Sequence, residues 1–339
     1  MAKQAIPIRE DGFVVHPHVV LLGAGASFAA CPNGDRNGRK IPLLKDLPEI
    51  LVLEGRLEAA GFTLPIADFE ETFTTICERS RHADLRAEIE NRVFNYFSEL
   101  ELPVEPNVYD HLVSGLRPKD VIATFNWDSF LIQAMLRNKA FKTGPQFLFL
   151  HGNVLVAHCM EDRVTGFPGN TCSKCGKPLT QSKLLYPVGK KNYAEDGFIA
   201  SQWDQLKRHL GFAYGFTIFR YSGPKTDAEA RSLMANEWVS SPIYRQSEVE
   251  IIDILDRDEL EKRWEDIIFS HHSRVAHDFS RSLIFNHPRR STEALYDSLL
   301  MCNPRREEPF PKVKSIDQIS SFIEPLVREE QEGRRNIGA

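Results

Sequence analysis

The 339-residue chain carries 42 Lys and Arg against 47 Asp and Glu, a formal net charge of −5, so no basic surface directs it to nucleic acid. With 42% hydrophobic, 10% aromatic and 26% charged residues, it has the composition of a globular protein with a sizeable core, which excludes disordered and fibrous classes. No apolar run reaches the roughly 20 residues that a membrane span requires, and the initial Met-Ala-Lys-Gln-Ala-Ile-Pro is too short and polar for a signal peptide, so a cytoplasmic protein away from membranes is expected.

His18-Val19-Val20-Leu21-Leu22 is a short apolar run stopped by Gly23-Ala24-Gly25-Ala26-Ser27, the pattern of a buried parallel strand turning tightly into a helix. The Gly-, Pro- and charge-bearing stretch from Cys31 to Lys40 reads as a loop beside that turn. Phe69, Phe73 and Ile76, then Leu85, Ile89, Val93, Phe97 and Leu100, recur at three- and four-residue steps and predict two amphipathic helices. Val121 to Phe125 reads as a strand, Ser129 to Asn138 as a helix, and Phe147 to Leu150 as a strand ending at His151-Gly152. Beyond these, Trp203, Leu206 and Leu210 mark a helix, Phe216 to Phe219 and Val249 to Leu255 strands, and Leu260 to Phe269 a helix. One short amphipathic segment follows around Ile316 to Val327.

The alternation predicts an α/β fold with a Rossmann-like, doubly wound parallel sheet. Two segments interrupt it, a helical one and a Gly-, Pro- and Cys-bearing one, so the expected organisation is a discontinuous nucleotide-binding domain (1–48, 117–157 and 185–288) with a helical insertion (49–116), a small zinc-ribbon-like insertion (158–184) and a C-terminal extension (289–339).

Small residues and free N–H groups at the Gly23–Ser27 turn suit a pyrophosphate. However, Phe28 stands where a dehydrogenase fingerprint has its third glycine, no Walker spacing is present, and a plain tight turn explains the run equally well. Asn126 and Asp128 emerge at a carboxyl-end strand edge, where open α/β sheets bind ligands, and also fit as helix caps. His151, at the next strand end, is either a base or a structural residue. Cys172-x-x-Cys175 with Cys159 upstream has the spacing of a metal knuckle rather than a disulfide framework, which points to a structural Zn²⁺ and a reducing compartment. His271, His272, His277, Arg289-Arg290 and Arg305-Arg306 read as surface or capping residues.

Taken in order, Gly-Ala-Gly-x-Ser (Gly23–Ser27), Thr-x-Asn-x-Asp (Thr124–Asp128), His151-Gly152, the cysteine cluster and Tyr221-Ser222 resemble the sirtuins, and more narrowly the divergent bacterial sirtuin-like proteins. Leu185-Tyr186-Pro187, Lys191, Trp203 and Tyr221-Ser222-Gly223-Pro224-Lys225-Thr226-Asp227 extend the match over about residues 18 to 270. The resemblance implies that Gly23, Ala24, Gly25 and Ser27 hold the pyrophosphate of NAD⁺, with Asp35 and Arg36 loosely matching a neighbouring element. It places Tyr221, Ser222 and Asp227 by the adenosine half, and Asn126, Asp128 and His151 around the nicotinamide ribose. In the zinc module it sets Asp162 where the family has a cysteine, with His158 the softer candidate for the fourth ligand.

The departures matter as much. No Phe stands in Cys31–Arg36 to cover a nicotinamide, Leu184–Pro187 is not an acyl-lysine channel segment, and Arg220 replaces a glycine before Tyr221-Ser222. The implied activity is therefore NAD⁺ hydrolysis, as the effector of a bacterial anti-phage system, ahead of protein deacylation or non-catalytic NAD or ADP-ribose binding. A homo-oligomer and a partner such as a DNA-translocating ATPase or a prokaryotic Argonaute are the implied associations.

Overall fold

A computed structural model describes residues 9–10, 13–188, 192–223, 227–268 and 272–335; Lys191, Pro224, Lys225, Thr226 and His271 lie outside them. After a short antiparallel pairing of β1 (Arg9–Glu10) with β2 (Phe13–Val14), the chain enters β3 (His18–Leu22), whose five residues are all buried. Two-sided burial is why this strand is a continuous apolar run instead of an alternating one.

The segment from Gly23 to Asp120 is helical: α1 (Ala24–Ala30), α2 (Leu47–Ile50), α3 (Glu54–Ala59), α4 (Phe69–Glu78), α5 (Ala83–Ser98) and α6 (Val108–Gly115). Asp68 starts α4 by accepting from the backbone N–H of Glu70 and Glu71, and Asn107 starts α6 through a reciprocal capping box with Asp110. Leu85, Ile89, Val93 and Phe97 form the buried stripe of α5, four residues apart as a helix face demands.

Next come β4 (Val121–Thr124), α7 (Phe130–Arg137) and β5 (Gln146–Phe149). A three-stranded antiparallel sheetlet of β6 (Ala157–Cys159), β7 (Val164–Gly166) and β8 (Thr180–Gln181) leads into α8 (Gly197–Leu210), β9 (Gly215–Phe219), α9 (Ala228–Val239), β10 (Glu248–Ile252), α10 (Arg257–Arg263) and β11 (Ser273–Ala276). Helices α11 (Leu283–Asn286), α12 (Ser291–Leu299) and α13 (Ile316–Arg335) close the chain.

The main sheet is six-stranded and parallel in every pairing, ordered β11-β10-β9-β3-β4-β5. The chain winds outward from β3 through β4 to β5, then restarts on the other side of β3 with β9. The order thus reverses between β3 and β9, and the loops leaving these two strands diverge into a crevice. Val20 and Leu22 face one buried cluster, shared with α4, α5 and α6, while Val19 and Leu21 face the other, shared with Trp203, Trp238 and Trp264. The helical segment therefore shares its core with the sheet.

The structure differs from expectation in several places: α9, α11 and α12 have no expected counterpart, and α13 runs past Val327 to Arg335. Strand β10 stops at Ile252 because Asp253 turns the chain, its carboxylate accepting from the N–H of Leu255. Helix α10 runs only to Arg263, where Trp264 caps it and is fully buried. Arg289 and Arg290 are not surface residues: both are buried, holding Glu330 of α13 against the body.

Candidate active site

At the reversal point a cavity of about 590 Å³ opens over the carboxyl ends of β3, β4, β5 and β9, with Ser27, Asn126, Asp128, His151, Arg220, Tyr221 and Asp227 in its wall. Strand β3 delivers the glycine turn, whose Gly23 N–H bonds the Phe219 carbonyl across the switch point at 3.1 Å. A Cβ on Gly23 would sit 2.5 Å from the Arg220 carbonyl oxygen and from Tyr221 Cα, and one on Gly25 would sit 2.8 Å from Arg220 Cβ. Both glycines are thus required by the close crossing of the β9 loop. Ala24, Gly25 and Ser27 line the cavity, and Gly23 lies beneath Tyr221.

A polar network runs through the cavity wall at Ser27, Asn126 and Asp128 and continues behind it to Tyr109. Asn126 Nδ2 lies 3.0 Å from the Gly23 carbonyl oxygen, 2.9 Å from Ser27 Oγ and 3.1 Å from Tyr109 Oη, its two hydrogens shared among the three acceptors. Because a carbonyl can only accept, the Gly23 contact fixes which end of the amide is nitrogen and leaves Oδ1 as the end free to serve the cavity. Ser27 donates its proton to Asp128 Oδ2 at 2.7 Å, so at the 2.8 Å Ser27–Tyr109 contact the tyrosine is the donor. The chain Tyr109 to Ser27 to Asp128 runs toward the carboxylate. Asp128 also accepts from the Phe130 N–H at 3.2 Å. Burial nevertheless pushes its pKa up to about 6, with the Ser27 and Phe130 hydrogen bonds opposing the rise.

His151 follows β5. Its ring packs edge-on against Phe125 at 4.7 Å and parallel to Tyr193 at 5.8 Å, with Nε2 3.4 Å from the Tyr193 hydroxyl. Asn153, two residues on, donates to the Asp128 carbonyl at 2.6 Å, tying the β5 turn to the β4 turn. Phe125 also stacks on Tyr221 at 4.3 Å, and Tyr221 donates to Asp227 Oδ2 at 3.0 Å. One aromatic ring therefore spaces the His151 side of the cleft from the Tyr221 side. Ser222 is an exposed rim residue of the same cavity.

Asp35 and Arg36, expected among the cofactor-binding residues, lie outside the cavity lining. The Asp35 carboxylate is consumed by the backbone N–H groups of Asn37, Arg39 and Glu101, which shapes the loop, and Arg36 is directed to Glu101 at 3.8 Å. Tyr109 is the residue that sequence reasoning missed. It stands on α6 with no motif around it beyond the Asn107 cap, and its partners are far away in sequence.

In the sheetlet, one ligand atom each from Cys159, Asp162, Cys172 and Cys175 all fall within 4.8 Å of one another. Three thiols and a carboxylate at this spacing suit a tetrahedral Zn²⁺, whose chemistry there would be structural cross-linking of the β6 and Cys172–Cys175 turns. His158, the expected fourth ligand, is turned the other way. Its neighbour Cys159 faces the cluster, and alternation along β6 sends the His158 ring onto Phe198 at 4.5 Å. None of the four cluster residues lines the cleft.

No protein-family profile matches the chain and no curated protein matches it. Among solved structures it is similar to a Sir2 homolog in complex with NAD (13% identity, 84% of this chain and 90% of that chain covered, TM-score 0.35). It is also similar to a mutant Sir2 homologue in complex with ADP-ribose (12% identity, 84% and 93% covered, TM-score 0.36) and to a structure described as the structural basis of sirtuin substrate affinity (14% identity, 78% and 89% covered, TM-score 0.38). At these identities and TM-scores the likeness assigns no residue and no activity; what it names is the group of structures, sirtuins, to which the chain is similar.

Proposed function

We propose that the chain binds NAD⁺ in the switch-point cleft and hydrolyses its bond to nicotinamide. The observation that carries the reading is the network joining Asn126, Ser27 and Asp128 in the wall of a cavity that His151 also lines. Departure of nicotinamide takes the electron pair of the glycosidic bond and leaves oxocarbenium character on the ribose, which a nearby anionic Asp128 stabilises. Asn126 Oδ1 accepts a hydrogen bond from the attacking water, and His151 takes the proton that this water loses as its oxygen bonds to the anomeric carbon. The products are ADP-ribose and nicotinamide.

A second reading, acyl-lysine deacylation, is favoured by one feature: Leu43, Leu44, Leu47, Phe97, Trp127 and Leu185 give the cleft an apolar wall. Nicotinamide release measured with and without acetylated peptide separates the two. Release without peptide supports hydrolysis, and release only with peptide overturns it. The sirtuin-like motif order further motivates a role as an anti-phage effector acting as a homo-oligomer beside an ATPase or Argonaute partner. Co-purification with the gene-neighbour product tests that role.

A further inference from the structure

Arg220 stands directly after β9, where a family-typical glycine would leave the turn bare. Its backbone adopts φ +50°, a conformation uncommon for a side chain of this size, and it is held there by its N–H bonding the Ile252 carbonyl at 2.9 Å. Its aliphatic stem lies across Gly25: a Cβ added there would meet Arg220 Cβ at 2.8 Å and Cδ at 3.5 Å. The side chain lines the cleft, and its Nε is buried with no hydrogen-bond partner. It forms no ion pair among the described residues. Of the nearby acids, Asp278 feels the Arg220 charge, which helps hold that carboxyl below its ordinary value, but its hydrogen bond goes to the Ser280 N–H, as that of Asp253 goes to the Leu255 N–H. Arg36, the other cation that the resemblance counted among the cofactor-binding residues, pairs with Glu101 instead.

A buried guanidinium N–H without an acceptor is costly to leave unmade, and a planar, permanently charged fork matches phosphate oxygens. We propose that Arg220 is a ligand-binding residue for a diphosphate lying across the Gly23–Ser27 turn, supplying from β9 the positive charge that Arg36 does not bring. The assignment rests on the dinucleotide reading above and narrows it, because the contact goes to the diphosphate and not to either nucleoside. It also gives Gly25 a purpose: the absent side chain is what lets the arginine stem reach over the turn.

The test is equilibrium binding of ADP-ribose, inorganic pyrophosphate and adenosine to wild type, Arg220→Met and Arg220→Lys, with each variant's thermal midpoint as a folding control. Arg220→Met should weaken ADP-ribose and pyrophosphate at least about tenfold while leaving adenosine within about twofold, and Arg220→Lys should fall between, as loss of one bidentate charged contact predicts. Unchanged ADP-ribose and pyrophosphate affinity in a folded Arg220→Met overturns the proposal, as does an equal loss for adenosine. Should Arg220→Met not fold, the Arg220→Lys comparison and the salt dependence of wild-type pyrophosphate binding decide instead. Wild type that binds pyrophosphate through Arg220 yet fails to bind ADP-ribose would overturn the dinucleotide reading and leave the arginine assignment standing.

Discussion

Ser27 and Asp128 meet at 2.7 Å across the gap between the first two strand ends of the sheet, with the serine as donor. The contact makes the ionisation of Asp128 the reporter of the whole site. Burial raises this carboxyl to about 6, above the roughly 3.9 of an unfolded aspartate. Its contribution to stability is therefore complete below the unfolded value and is lost as pH rises through 6. Turnover needs the anion and should follow the opposite course, rising through an apparent pKa near 6. Asp128→Asn mimics the protonated form. It should be nearly inactive, yet more stable than wild type by on the order of 3 kcal/mol at pH 8 and scarcely more stable at pH 4. Denaturant titrations at the two pH values check this, and equal gains at both would dissociate Asp128 from the pH dependence.

Removing the Tyr109 hydroxyl keeps the buried ring and deletes the donor to Ser27. Tyr109→Phe should lower nicotinamide release about tenfold, the worth of one buried hydrogen bond in a network. The KM for NAD⁺ should stay close to wild type, and the acid limb of the pH profile should move upward because the Asp128 anion loses support. A loss of thermal stability with an unmoved pH limb would make Tyr109 merely structural.

Asn126→Ala and His151→Ala address the chemical step. Each should reduce turnover by about 10²-fold or more, the scale for a positioned polar group or a general base, while circular dichroism shows the fold retained; Asn126→Ala should also lower the thermal midpoint, because its amide holds buried groups of the network. Near-normal turnover in either variant would mean the site is misassigned.

How far the site could be read from the sequence follows from how far apart its contacts lie. Gly23, Asn126 and His151 are legible because each directly follows a buried apolar run, with Asp128 two residues past Asn126, so pattern alone places them at strand ends, and the sheet then brings those ends together. Tyr109 is not legible, because its contact with Ser27 spans 82 positions and nothing local distinguishes it from core. Asp35 and Arg36 misled for the converse reason: they follow the right turn in sequence, but the backbone of Asn37, Arg39 and Glu101 claims the carboxylate and bends both away. Helices α4, α5, α7 and α8 are readable from spacing, whereas α9, α11 and α12 are not, and the ends of β10 and α10 are set by Asp253 and Trp264, through contacts no periodicity carries.

Asp162 and His158 make opposite predictions for metal content. Asp162→Ala removes a ligand atom of the cluster and should bring bound zinc in purified protein well below about one equivalent, whereas His158→Ala should retain it, four ligands being the requirement of a closed structural site. Elemental analysis of both variants decides; full zinc in Asp162→Ala would place the fourth ligand elsewhere.

Glu330 tests whether the last helix belongs to the fold. Arg289 Nε and Nη2 and Arg290 Nη1 donate to its carboxylate at 2.9, 2.6 and 2.6 Å, and Arg289 Nη1 also reaches the Leu116 carbonyl at 2.9 Å, just before the chain enters β4. Burial alone would raise the Glu330 pKa, but the two arginines outweigh it and hold the carboxyl below its ordinary value. Its stabilisation is therefore present above the unfolded pKa and lost as pH falls through the folded one. Glu330→Ala leaves two buried guanidinium groups short of their anion, a change that typically costs about 3–5 kcal/mol. Because Arg289 is anchored to the segment leading into the sheet, the loss should appear as a lower midpoint of global unfolding. Detachment of α13 alone, seen as proteolysis near Ile316 with an unchanged midpoint, would show that the ion pair fastens an appendage instead.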